Sequence, residues 1–299
     1  MAPARPPRRR PSTRTTFATR SPRLRPVVIV GFGRVGGALA LGLQRAGWPV
    51  SVFPRSGASI RSAVAHGVRV ADQEDLREAS AVVLAVPDDS LSEAAALVAG
   101  DLGRTTALVH CSGALPLSIL AGHGDRPLGS LHPLAALSAR TDSLEGRAAA
   151  LSATTPGLLS LLRRACVALG LKPFAVPEAG RTAYHAGAVF AAGGLVALAS
   201  AAVEALGEAG VPGPQALAAL IPLMRSALDG VEARGLSAGL TGPIARGDRE
   251  VVRAHLAALP PELVPLYRAL GRRGVDLARA RLPRELAESL AALLREPQR

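Results

Sequence analysis

One segment constrains this chain more than any other: Val27-Val28-Ile29-Val30, then Gly31-Phe32-Gly33-Arg34-Val35-Gly36-Gly37, then an Ala/Leu-rich run to Ala46 closed by Gly47. The β-branched run predicts a buried strand, the glycines a tight turn, and the Ala/Leu run a helix. In such a unit Gly31 allows the turn, Gly33 lets a phosphate approach the backbone, and Gly36 lets the helix lie close to the strand. The helix N-terminus then presents free N–H groups and the positive end of its dipole to an anion. A second strand, Pro49 to Phe53, follows at the spacing of a βαβ unit. The unit predicts dinucleotide binding through Gly31, Phe32, Gly33, Arg34, Val35 and Gly36.

The end of the second strand selects between dinucleotides, because an acidic residue there would accept from the ribose 2′-OH of NAD and repel a 2′-phosphate. Pro54-Arg55-Ser56 stands there instead. Arg55 offers a charged fork and Ser56 a hydroxyl, so NADP is the expected cofactor and NAD the alternative. A solvated loop arginine is the competing reading of Arg55, since Lys172 is the only lysine and arginine is correspondingly common.

Further strands are expected at Ala81 to Val86, Ala107 to His110, Pro127 to Leu131, Ala148 to Ser152 and Pro173 to Val176, with a helix from Pro156 to Leu169. Val86-Pro87-Asp88 and His110-Cys111-Ser112-Gly113 should then rim the nucleotide crevice. From Thr182 onward the pattern is helical. Ala186 to Val203 carries no charge and is long enough for a membrane span, but it is mostly Ala and Gly. A central helix enclosed by others, or at a subunit interface, is the preferred reading, with no membrane crossing. Helices are also expected over Pro214 to Glu232, Asp248 to Leu259, Pro261 to Arg281 and Pro283 to Leu294, with Asp248 a candidate N-cap beside Arg246. The fold class is therefore α/β, a doubly wound Rossmann-type parallel sheet followed by an all-α C-terminal domain. Its expected divisions are a basic tail over 1–26, a dinucleotide-binding domain over 27–178 and a helical substrate and dimerisation domain over 179–299.

Charge has to be placed along the chain before it is interpreted. The net charge is +12, but residues 1–26 hold eight arginines, six prolines and no acid, so the remainder carries +4. A tail of this kind is expected to be disordered, as an extension or the product of an upstream start codon; targeting or polyanion contact is the alternative. Nucleic-acid binding by the rest is not expected, because aromatic residues are only 3% of the chain. Two cysteines, Cys111 and Cys166, cannot build a disulfide framework, which points to a reducing, cytoplasmic setting. The six histidines show no HxxxH or paired-cysteine spacing, so no metal site is expected.

The residues that remain for chemistry are Ser112, His132, Tyr184-His185 and the segment Leu240 to Asp248, with Thr241 its hydroxyl. Together with the glycine turn, Val86-Pro87-Asp88, His132-Pro133-Leu134 and Tyr184-His185-Ala186-Gly187-Ala188-Val189-Phe190, they resemble Rossmann-like oxidoreductases whose C-terminal half is a domain of unknown function, DUF2520. These are similar to ketopantoate reductase, pyrroline-5-carboxylate reductase and the 6-phosphogluconate dehydrogenase superfamily. The resemblance implies an NADP-linked, dimeric, reductase-like protein acting on a small molecule in a cleft between domains.

Two positions depart from those relatives. A catalytic lysine is expected on the first C-terminal helix, and His185 stands there; a polar residue, commonly Asn, is expected where Gly193 lies. Histidine's ordinary pKa of about 6.5 suits proton donation near neutrality. The expected reaction is hydride transfer to or from a small C=O or C=N substrate. His185 would donate the proton or orient the substrate, Thr241 supply a second hydrogen bond, Ser112 and its neighbouring backbone hold a carboxylate and His132 shape the wall. A non-catalytic NADP sensor is the alternative.

Overall fold

A computed structural model describes residues 25–295. Residues 1–24 of the expected tail lie outside the described residues. The first part alternates strands and helices: β1 (Val27–Val30), α1 (Arg34–Arg45), β2 (Val50–Phe53), α2 (Gly57–Ala65), α3 (Gln73–Glu78), β3 (Ala81–Leu84), α4 (Leu91–Ala99), β4 (Ala107–His110), β5 (Leu128–Leu134), β6 (Ala148–Ala153), α5 (Pro156–Ala168) and β7 (Lys172–Ala175). The seven strands form one sheet in the order β2-β1-β3-β4-β5-β6-β7. All neighbours are parallel except β5 and β6, which pair antiparallel.

Alternation along β1 explains how the sheet is covered. Its side chains point to opposite faces by turns. Val27 and Ile29 join a core with Leu39, Leu43, Trp48, Leu151 and Leu162 on one face, whereas Val28 and Val30 join Leu76, Val82, Leu84, Leu91 and Leu108 on the other. Burial on both faces is why the inner strands read as unbroken apolar runs rather than alternating ones.

Two local features position the site. Register between β4 and β5 stops at His110 opposite Ser130, so Leu131 to Leu134 run on beyond the end of β4. His132 is therefore carried past the last β4 pairing while still held on its other side, opposite Ala150 of β6. The chain then enters a continuous helical run whose first segment is α6 (Arg181–Val189).

The chain divides into two compact units, the first ending at Ala188 and the second beginning at Val189. The opening turns of α6 stay with the first unit because Arg181 and Tyr184 bond to its strands.

The second unit is helical: α7 (Leu195–Glu208), α8 (Gly213–Gly239), α9 (Pro243–Arg246), α10 (Arg249–Ala258), α11 (Val264–Ala278) and α12 (Arg284–Leu293). Val252, Val275, Ala287, Leu290 and Leu294 form its core. α8 breaks direction at Gly235, where φ is 76°, close to the expected helix end at Glu232.

Two expectations need correction here. The central helix is not enclosed by others within one chain. Glu178–Glu208 is long and apolar enough to cross a membrane, and none of its most apolar stretch is buried. α7 packs on α8 but leaves Val196 71% exposed, and Phe190, just before it, is 79% exposed. The run also contains a π-helical turn, Phe190–Gly194, that its composition does not signal. Finally, Asp248 occupies the N-cap position of α10 without a side-chain cap bond; its carboxylate accepts from Arg246 Nε at 2.8 Å instead.

Candidate active site at the strand ends

The glycine turn is enforced by sterics at two positions and left open at the third. Gly31 has φ 96°, and a Cβ there would lie 2.8 Å from the Ala85 carbonyl oxygen. A Cβ on Gly36 would overlap the Gly31 carbonyl oxygen. Packing of the turn on β3 and of α1 on the turn therefore requires both glycines. Gly33 is different: nothing lies within 4 Å of where its Cβ would be. The protein itself makes no use of that space, which leaves backbone open to a ligand. Gly33 is also the N-cap of α1, with no side-chain cap bond and no acidic residue in the first turn. The N–H groups at this end are thus available to an anion. Phe32 is buried beneath the turn, while Arg34 is exposed and donates to the Leu137 carbonyl at 3.3 Å.

At the end of β2, Ser56 caps α2 by accepting from Ser59 N at 3.3 Å. Arg55 pairs with the carboxylate of Glu93 at 3.2 Å, and the Glu93 side chain is 78% exposed. The expected cation is therefore in place and shares its charge with a carboxylate on α4.

Val86-Pro87-Asp88 leads to Ser112 through a direct bond. The Ser112 hydroxyl donates to Asp88 Oδ2 at 2.8 Å and accepts from Ala114 N at 3.2 Å and Leu115 N at 3.0 Å. Its single donor and both acceptor sites are in use. Ser112 consequently joins the loops after β3 and β4, and its hydroxyl is not free to bind a carboxylate.

Beneath it lies a polar layer that sequence reasoning missed. Arg181, 3% exposed at the head of α6, donates to Ser130 Oγ at 2.7 Å, Ser152 Oγ at 2.8 Å and the Ser112 carbonyl at 3.4 Å, and it pairs with Glu178 at 2.8 Å. One guanidinium so ties the ends of β4, β5 and β6 to the start of the helix. Burial alone would raise the Glu178 carboxyl, but the Leu117 N–H and the Arg181 guanidinium outweigh it and hold the group below the usual carboxylate range. The signal was present as the Glu178/Arg181 spacing, one helical turn apart just before Tyr184-His185.

His132 and His185 meet above this layer, their ring centres 6.2 Å apart. Gly113 lies between them: a Cβ there would be 2.7 Å from His132 Cε1 and 2.8 Å from His185 Nδ1. His132 Nδ1 is 2.6 Å from the Tyr184 hydroxyl. Burial raises the Tyr184 phenol to about 12. It depresses His132 to about 4, helped by the nearby His185 and Arg181 charges. A neutral imidazole therefore faces a protonated phenol, and we assign the bond as Tyr184 donating to Nδ1, with the ring proton on Nε2.

His185 Nδ1 is buried without a partner against Gly113, which is tolerable for a lone pair and costly for an N–H. Its proton is accordingly assigned to Nε2, the nitrogen not closed off by protein. Thr241 lies in the second unit, exposed in the turn before α9. Lys172 opens β7, exposed. Gly193 lies in the π-helical turn with open space where a side chain would be.

His110 extends the cluster inward. It is fully buried, accepts from Ser112 N at 3.2 Å through Nδ1, and leaves Nε2 without a partner. Burial, with Arg181 adding to it, lowers its pKa to about 4. Between about pH 6.5 and 4 the unfolded chain takes this proton and the folded chain refuses it, so stability falls as the pH drops through that window. The expected loss is on the order of 3 kcal/mol from His110, with His132 acting in the same direction. Urea unfolding at pH 7 and pH 4.5 measures it; a midpoint that does not fall at pH 4.5 contradicts the burial argument. Cys111, also buried, is pushed up to about 12, which keeps it an unreactive thiol. Among the described residues no three His, Cys, Asp or Glu side chains gather as a metal site.

Comparison with known proteins agrees with this architecture. A Rossmann-like domain model matches residues 9–135, and the model of a domain of unknown function, DUF2520, matches residues 148–274. No curated protein sequence matches the chain. Among solved structures, BF3122 from Bacteroides fragilis is 22% identical, with TM-score 0.68 over 85% of this chain and 98% of its own. The 1-pyrroline-5-carboxylate reductase of Streptococcus pyogenes is 18% identical, with TM-score 0.58 over 86% of this chain and 98% of that one. A reductive aminase from Aspergillus terreus, in complex with NADPH and ethyl levulinate, is 15% identical, with TM-score 0.59 over 90% of this chain and 99% of that one. The enforced glycine turn and the sheet order agree with the two domain models: a Rossmann-like domain over residues 9–135 is followed by a DUF2520 domain over residues 148–274.

Proposed function

We propose that this protein is an NADP-dependent oxidoreductase that moves a hydride to or from a small C=O or C=N substrate. The observation that carries the reading is the open backbone at Gly33, flanked by two glycines that the fold requires and backed by an uncapped helix N-terminus. Arg55 and Ser56, in place of an acid, favour NADP over NAD. The complex of the A. terreus reductive aminase with NADPH, on the same fold, supports the choice.

NADPH, when bound, supplies the hydride; the chain supplies position and a hydrogen bond that polarises the substrate. Gly31 to Gly36 hold the pyrophosphate, and Val86-Pro87-Asp88 form the neighbouring wall. His185, neutral with its one N–H on Nε2, donates a hydrogen bond to the substrate C=O or C=N and orients it, the proton of the reduced product coming from water, and His132, neutral and fixed by Tyr184, lines the pocket beside it. Ser112 becomes a positioning residue that ties Asp88 to the β4 end, rather than a carboxylate anchor. The exposed apolar helix through Phe190 and Val196 supports a homodimer, and the two buried free cysteines support a cytoplasmic setting.

Two measurements test the reading. Gly33→Val should fold as the parent does, because its Cβ has open space, yet weaken NADPH binding at least about tenfold by occupying the phosphate approach. NADPH oxidation should appear with a member of a panel of small keto acids and cyclic imines. Tight binding with no turnover across the panel, and with binding normal in His185→Ala and Thr241→Ala, would favour the sensor, which the missing side chain at Gly193 also motivates.

A further inference from the structure

Loop 135–147, between β5 and β6, reaches back to the nucleotide turn. Asp142 organises its tip by accepting from Ser138 N at 2.7 Å, Ser138 Oγ at 3.0 Å and Ala139 N at 3.0 Å. Arg34 of the turn donates to the Leu137 carbonyl. These bonds deliver Arg140 to an unusual place. Its guanidinium lies 5.6 Å above the ring of Phe32, the second residue of the glycine turn, and donates to Ser62 Oγ on α2. Its Cβ occupies the space that a side chain on Gly37 would need, so the second glycine of Gly36-Gly37 serves Arg140 rather than the turn.

Two physical points make this more than packing. Among the described residues no carboxylate lies within salt-bridge distance of Arg140, although it is half-buried. An arginine held only by a neutral hydroxyl and an aromatic face keeps its full charge for a ligand. The second point is a charge balance. A phosphate monoester carries close to two negative charges at neutral pH, and Arg55 already shares its charge with Glu93. One half-neutralised cation leaves such a group undercompensated. α2 begins directly after Arg55-Ser56, and Ser62 lies on that same helix.

We propose that Arg140 is a second cationic arm for the 2′-phosphate of NADP and, with Arg55, determines the preference for NADP over NAD. The proposal rests on the dinucleotide-binding reading above. On binding, the guanidinium exchanges the Ser62 hydroxyl for phosphate oxygens while its stem stays against Gly37.

The test is a fluorescence titration of the full chain with NADPH and with NADH, for wild type, R140A and R140Q, with thermal unfolding of each. R140Q keeps the Cβ and Cγ packed at Gly37 and an uncharged N–H donor, so it remains informative if R140A fails to fold. Loss of a charge-assisted bond should weaken NADPH binding about tenfold or more in both variants. NADH binding should stay unchanged, so the NADPH/NADH preference collapses. Equal weakening for both cofactors would mean that the loop only supports the turn, and unchanged affinities would remove Arg140 from the site; either overturns the proposal while leaving dinucleotide binding intact. A wild-type chain that binds neither cofactor would instead refute the underlying reading, and the proposal with it.

Discussion

Replacing Arg181 by methionine is expected to lower folding stability by about 3–5 kcal/mol. Methionine fills much of the volume, so the loss is one of bonding rather than of packing. The hydroxyl of Ser130 and the Ser112 carbonyl lose their guanidinium partner in a buried layer, and Ser152 keeps only its bond to the Val176 carbonyl. Glu178 adds less than its pairing distance suggests, because 41% of its side chain is exposed and water compensates it. Denaturant unfolding of Arg181→Met against wild type measures the difference. A loss under about 1 kcal/mol would place Arg181 with ordinary surface arginines and would remove the structural reason for α6 staying with the sheet.

His185→Ala is expected to reduce turnover by about 10²–10³-fold, the usual cost of removing one preorganised hydrogen-bond donor. NADPH affinity should be retained, because no part of the glycine turn touches this ring. Steady-state rates on whichever substrate the keto-acid and imine panel identifies, with parallel cofactor titration, separate the two effects. Undiminished turnover in His185→Ala would contradict the assignment of its Nε2 as donor. Gly113 gives a useful comparison: its missing side chain is what allows His132 and His185 to approach each other. A Cβ at that position displaces both rings without removing either one.

The parts of this architecture that depend on neighbours in sequence were legible in advance. Strand, turn and helix at Val27 to Ala46 follow from residues within one turn of each other, and Gly31 and Gly36 are required for the reasons the spacing implies. The helical second half could be outlined in the same way. What could not be read are bonds between distant segments. Tyr184 and His132 are 52 positions apart, and Arg181 reaches serines on three different strand ends. Ser112 is instructive in the other direction. Its hydroxyl accepts from N–H groups two and three residues later, a local turn that residues 112–115 allow, whereas the O–H that a carboxylate would need is taken by Asp88, 24 positions away. The central helix shows the limit of composition: an uncharged Ala/Gly run suggested enclosure, but burial depends on which surfaces are present, and one chain leaves it exposed.

The central claim is that the phosphates of a dinucleotide rest against the backbone at Gly33 and the first turn of α1. Titrating the purified full-length chain with NADPH, following nicotinamide fluorescence, tests it without knowledge of any substrate. Saturable binding, tighter for NADPH than for NADH, is the predicted result; no measurable affinity for either would contradict it.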